Sequence, residues 1–149
     1  MKNHSENENQ RQLVPVTNKD AANGMDSVNQ ISIYEPDHFE DEIPFEEAQN
    51  GDIAIWVSGT SMHPTYPNGS AVLLRKVEYW YEFFGYGNVY YIALTDGRRI
   101  LKEVQKSLKD PKNYVLCVSH NPKVAPEELP IRMIAGIWRV MGMAREEGA

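Results

Sequence analysis

The sequence predicts a mainly β domain behind a flexible polar N-terminal arm. Three observations predict it. From Gly51 onward, short apolar runs alternate with turn residues, the pattern of strands joined by tight connections. Residues 1–30 hold six asparagines (Asn3, Asn7, Asn9, Asn18, Asn23 and Asn29) and almost no periodic apolar positions. Such a stretch buries too little apolar surface to offset the entropy of ordering it. The length of 149 residues suits one compact core plus a tail rather than two full domains.

Taken in order, residues 1–42 read as the flexible polar arm and linker, and residues 43–149 as the β domain. Within the arm, Leu13-Val14-Pro15-Val16 is the one sticky patch, and Ala21-Ala22-Asn23-Gly24 is a small-residue segment ending in a turn signal. Residues 31–50 connect to the core near Ile43. The expected strands are Ile53 to Val57, Ala71 to Leu74, Val89 to Leu94, Arg99 to Val104, Tyr114 to Val118 and Ile134 to Met143. The last run has enough apolar positions for a helix, but Gly136 and Gly142 beside Ile137, Trp138 and Val140 favour a strand. Glu78 to Phe84 is aromatic-rich and stays open between a helical turn and a packed loop. The tryptophans Trp56, Trp80 and Trp138 read as core or interface anchors.

Composition narrows the function. The chain has 15 basic and 21 acidic side chains, a net charge of −6. Seven carboxylates fall between Glu35 and Glu47 with no Lys or Arg among them. Nucleic-acid binding depends on basic groups that displace phosphate counterions, so DNA is not expected to bind this chain directly. The acidic run reads as a solvated face or linker. The single cysteine, Cys117, lies in an apolar run and reads as a buried structural thiol. No apolar stretch reaches the ~18 residues of a membrane span, and the first residues lack the apolar centre of a signal peptide. A cytoplasmic protein with no membrane contact is expected, with no cofactor and no metal.

The chemistry-bearing residues fall in two blocks. Val57-Ser58-Gly59-Thr60-Ser61-Met62-His63-Pro64-Thr65 puts a serine in a tight turn at a strand end, with Gly59 letting the backbone bend. Alone this is weak, because serines in turns usually bond locally. In Arg99-Ile100-Leu101-Lys102-Glu103-Val104, period-2 alternation puts Lys102 on one face with Ile100 and Val104. If that face is inward, the ammonium loses hydration and the neutral amine, which can take a proton from a serine, is favoured. If the other face is buried, Lys102 is an ordinary solvated lysine.

Together the blocks resemble a known family. Gly59-Thr60-Ser61-Met62-His63-Pro64-Thr65, followed by Asn68-Gly69 and an apolar strand, is similar to the Gly-x-Ser-Met-x-Pro-Thr signature of the LexA/UmuD/phage-repressor (S24-type) peptidases. Ile100-Leu101-Lys102-Glu103-Val104 resembles the strand that carries their catalytic lysine. Ser119-His120-Asn121-Pro122 resembles their Ser-Asp-Asn-Pro turn, and Gly136 to Val140 their closing strand. The resemblance covers about residues 43 to 144. It implies the β-clip-type fold shared with signal peptidases, Ser61 as nucleophile, Lys102 as general base, and the backbone N–H groups of Thr60 and Ser61 as oxyanion donors. His63 and His120 depart from the family's acidic residues and read as surface polar groups. The family cuts its own chain between a small residue and a glycine upstream of the nucleophile; the nearest match is Ala22-Asn23-Gly24, with asparagine in place of the usual alanine or cysteine.

By that resemblance, the chain is the self-cleaving regulatory domain of a LexA- or phage-type transcriptional repressor, cutting its own arm. Its partners would be a second copy of itself, a RecA-type filament or other activator, and DNA only through a separate DNA-binding domain or partner. The homodimer is expected through the last strand, where Ile134, Ile137, Trp138 and Val140 offer an apolar face. A UmuD-like translesion-polymerase accessory subunit and a catalytically idle dimerisation module stay open. Signal peptidases share the serine block but need a membrane anchor, which the sequence lacks.

Overall fold

The computed structural model describes residues 11–17 and 39–145, with side chains from residue 42 onward in the second stretch. Nine strands follow one another: β1 Gln12–Thr17, β2 Phe39–Phe45, β3 Ile53–Trp56, β4 Ala71–Lys76, β5 Val89–Leu94, β6 Arg99–Lys106, β7 Tyr114–Val118, β8 Glu127–Pro130 and β9 Ile134–Ala144, with a 3₁₀ turn, Ile131–Met133, before the last. The fold is mainly β, as the sequence predicts.

The strands form one sheet in the order β2-β1-β3-β4-β9-β5-β6-β7-β8. Its pairings are antiparallel except β1 with β3, which meet in parallel at Val16 and Ala54. Alternate side chains of a strand point to opposite faces, and here both faces are covered. Val72, Leu74, Tyr91, Ala93 and Trp138 pack with Ile53, Ile55 and Val57 in one cluster. The other face of β5 (Tyr90, Ile92 and Leu94) packs with Val104, Val115, Cys117 and Ile137 in a second. A third cluster joins Val14, Val16 and Phe45 to Ala54, Ala71 and Leu73. Each fully buried Val, Leu or Ile contributes about 1.5–3 kcal/mol.

Two expectations are corrected. The patch Leu13-Val14-Pro15-Val16, expected in the arm, belongs to β1 and pairs with β2 from Gln12↔Phe45 to Thr17↔Phe39. Val14 and Val16 alternate inward, 1% and 0% exposed, while Leu13 stays out at 56%. Alternation, diluted by the surrounding asparagines, is the reason this segment docks. Residues 1–10 and 18–38 lie outside the described residues, as does the candidate cleavage site Ala22-Asn23-Gly24.

The second correction concerns β9. It lies between β4 and β5 at the middle of the sheet, and Ile134, Ile137 and Trp138 are 6%, 0% and 1% exposed within the single chain. Those side chains fill the core, so they are no free face for a partner. Gly136 has a packing role there: a Cβ at that position would lie 3.2 Å from the Trp138 ring.

Candidate active site

The serine turn is closed at its neck and tied at its tip. After β3, Val57 N–H donates to Ser70 O at 2.7 Å and Gly69 N–H to Val57 O at 2.8 Å, so residues 58–69 leave the sheet and return to it at one place. Gly59 has φ +86°, a conformation that suits glycine, and its N–H donates to Asn68 Oδ1 at 3.0 Å. Within the tip, His63 N–H donates to Thr60 O and Tyr66 N–H to Met62 O. Met62 is buried, 2% exposed, and anchors the turn, while Ser61 beside it is half-buried. Among the described residues, the N–H groups of Thr60 and Ser61 donate to no acceptor.

Lys102 is placed by the sheet. β6 pairs with β5 through Tyr90↔Lys102, and Val104 and Ile100, on the same face as Lys102, pack in the second cluster. The face is therefore inward, and Lys102 is half-buried. Its Nζ donates to Ser119 Oγ at 2.6 Å. Ser61 and Lys102 line one pocket of about 170 Å³, walled by Ile55, Val57, Met62 and Tyr91. A second pocket of about 370 Å³ also reaches Lys102, among Cys117, Glu127 and Glu128.

Burial governs the neighbouring acids. It pushes the Tyr91 phenol up to about 12, with the Arg99 guanidinium offsetting part of the effect; among the described residues the hydroxyl has no hydrogen bond of good geometry. Burial likewise pushes the Cys117 thiol up to about 11, against the pull of the Lys102 charge. Cys117 is thus a neutral buried thiol. The Ser61 pocket combines a hydroxyl, an amine and walls of mixed polarity, with Ser58 and Arg99 beside Ile55, Val57 and Met62, a set suited to acyl transfer through serine.

The histidines part company. His63 is exposed. His120, expected at the surface, is instead half-buried and bridges two segments: Nδ1 lies 2.8 Å from Thr65 Oγ1 and Nε2 lies 2.9 Å from Glu103 Oε1. Its ring also stacks on Tyr66. Ser119, 8% exposed, and Asn121, which bonds to the serine turn, were read from the sequence only as parts of a turn. One signal points to Ser119. Val115 and Cys117 mark the buried face of β7, and period 2 carries that face on to a serine. The contacts that His120 and Asn121 make with the serine turn reach back 55 and 61 residues and leave no local pattern.

Among the described residues, no group of three or more His, Cys, Asp or Glu could hold a metal ion, and no helix is long and apolar enough to cross a membrane. The model of the Peptidase S24-like family matches residues 12–143. No curated protein matches the chain.

Proposed function

The chain belongs to the Peptidase S24-like family, whose members are generally serine peptidases, and from that premise we propose that it is a self-cleaving serine endopeptidase acting in the cytoplasm as the regulatory domain of a LexA- or phage-type repressor. Ser61 attacks the scissile carbonyl, and neutral Lys102 takes the hydroxyl proton and returns it to the leaving amine. The N–H groups of Thr60 and Ser61, which donate to no acceptor among the described residues, receive the developing oxyanion. One observation carries the reading: a serine on a turn after β3 and an inward lysine on β6 line the same pocket. The bond proposed for cleavage is in Ala22-Asn23-Gly24, and the assembly is a homodimer that uses side chains outside the core.

Intact-mass spectrometry of the full chain held at alkaline pH tests this. Two fragments whose masses sum to the chain plus water are expected, with none from Ser61→Ala; a wild-type chain that stays whole contradicts self-cleavage. A catalytically idle dimerisation module is the second reading. It is favoured by one contact, the engagement of Lys102 Nζ by Ser119 rather than by Ser61.

A further inference from the structure

We infer that the turn Ser119-His120-Asn121 is a clasp that positions the two halves of the dyad against each other; the inference rests on the serine/lysine reading above. The need for it lies in the topology. Ser61 follows β3 and Lys102 sits on β6, and in the sheet order β4, β9 and β5 lie between those strands. No backbone ladder joins the two, yet a proton transfer demands their relative position to within a fraction of an ångström.

The turn after β7 supplies the missing ties. The β6–β7 register pairs Glu103 with Val118, which brings the residues that follow β7 alongside Lys102. Ser119 Oγ then accepts from Lys102 Nζ at 2.6 Å. Asn121 holds the serine side through two bonds, from its N–H to Ser61 O at 2.9 Å and from its Nδ2 to Thr60 O at 3.0 Å. His120 spans both sides at once, between Thr65 of the serine turn and Glu103 of the lysine strand, while its own N–H meets Met62 Sδ at 3.4 Å. The turn is stiffened from within, since Lys123 N–H donates to Asn121 Oδ1 and Val124 N–H to Asn121 O. Three consecutive residues thus touch both the nucleophile's backbone and the base's nitrogen. They are positioning residues: each acts through Ser61 or Lys102.

The test uses the full chain and a fluorophosphonate, a small reagent that labels an activated serine without needing the chain's own cleavage bond. The maximal labelling rate and the half-saturating reagent concentration are measured separately, together with the thermal midpoint. Wild type should label at Ser61. Ser119→Ala and His120→Ala should lower the maximal rate by about ten- to a hundredfold with the half-saturating concentration nearly unchanged; the thermal midpoint should stay near wild type in Ser119→Ala and fall in His120→Ala, which loses two bridging contacts, and Ser119→Thr, which keeps the hydroxyl, should recover most of the rate. In a Lys102→Ala background, Ser119→Ala should have no further effect. If wild type labels and these variants label equally fast, or if Ser119→Ala slows the Lys102→Ala chain as much as the wild type, the clasp is overturned and the dyad stands. If wild type does not label, the dyad fails and the clasp with it.

Discussion

Lys102 and Ser61 face the same pocket but are held by different physics. Lys102 is one position in a ladder, fixed by pairing with β5 at Tyr90, next to the Glu103–Val118 pair with which the β6–β7 ladder begins. Its two neighbours on the same face are Ile100 and Val104, the latter fully buried. Ser61 has no ladder. It rides on an excursion from the sheet, held by side-chain and backbone bonds that arrive from Asn68, Ser70 and Asn121. A strand residue inherits its backbone position from the cooperative sheet, so for Lys102 single contacts matter at the far end of the side chain, where Nζ meets Ser119. A turn residue depends on a few bonds, each worth about 1 kcal/mol, and is the easier half to displace.

The largest expected effect removes either half outright. Ser61→Ala and Lys102→Ala should each abolish self-cleavage while thermal unfolding stays near wild type, and the double variant should be no worse than either single one, because the two act as one unit. Cleavage assays on the three chains check this; a Lys102→Ala chain that still cuts at the wild-type rate makes some other group the base.

The next prediction separates stability from the site. Asp52 is buried, and Arg75 grips it through Nε at 3.0 Å and Nη2 at 2.9 Å. Arg75→Ala strands the carboxylate, costing about 3 kcal/mol, the low end for such pairs because Arg75 is itself partly exposed. Denaturant unfolding should show that loss, with Ser61 labelling by fluorophosphonate under native conditions unchanged. Met62→Ala should do both: it empties a site beneath the serine turn, costing about 2–3 kcal/mol, and slows labelling. A Met62→Ala chain that loses stability without losing rate would show that the turn does not depend on its anchor.

Much of this division was legible in sequence, for a physical reason. Strands announce themselves locally, and Val89–Leu94 and Tyr114–Val118 lie where their apolar runs predict; alternation also groups Lys102 with Ile100 and Val104, but only the fold decides that this face is inward. The exceptions are strands whose signal is short or masked. β1 carries a four-residue apolar patch, Leu13 to Val16, flanked by polar residues. β8, Glu127–Pro130, is an edge strand with one buried side chain, Leu129, beside two carboxylates and a proline, and is absent from the expected strands. Ser61 itself is visible through its motif, but the bonds that hold it are not. Asn121 is sixty residues away, and nothing in the spacing of a sequence encodes a tertiary hydrogen bond of that reach.

A smaller effect concerns alkaline stability. Cys117 and Tyr91 ionise at 9.0 and 10.0 in an ordinary setting but at about 11 and about 12 when folded. The unfolded chain therefore loses these protons first as pH rises. The stability they contribute is complete below 9.0 and is lost as the pH climbs from there toward about 11 and then about 12. Unfolding midpoints in a Ser61→Ala background, where cleavage cannot interfere, should fall across that window, and Cys117→Ala should make the fall shallower. An equally steep fall in Cys117→Ala would assign it to other groups.

The dyad itself is tested most directly by the pH dependence of self-cleavage. A lysine works as a base only as the neutral amine, so the rate should rise as the pH is raised from about 7 to about 10. Intact-mass spectrometry of the full chain, sampled over time at each pH, measures that rate. The rate should climb with pH in wild type and vanish at every pH in Lys102→Ala; a rate that is flat across the range, or that survives in Lys102→Ala, removes Lys102 as the base.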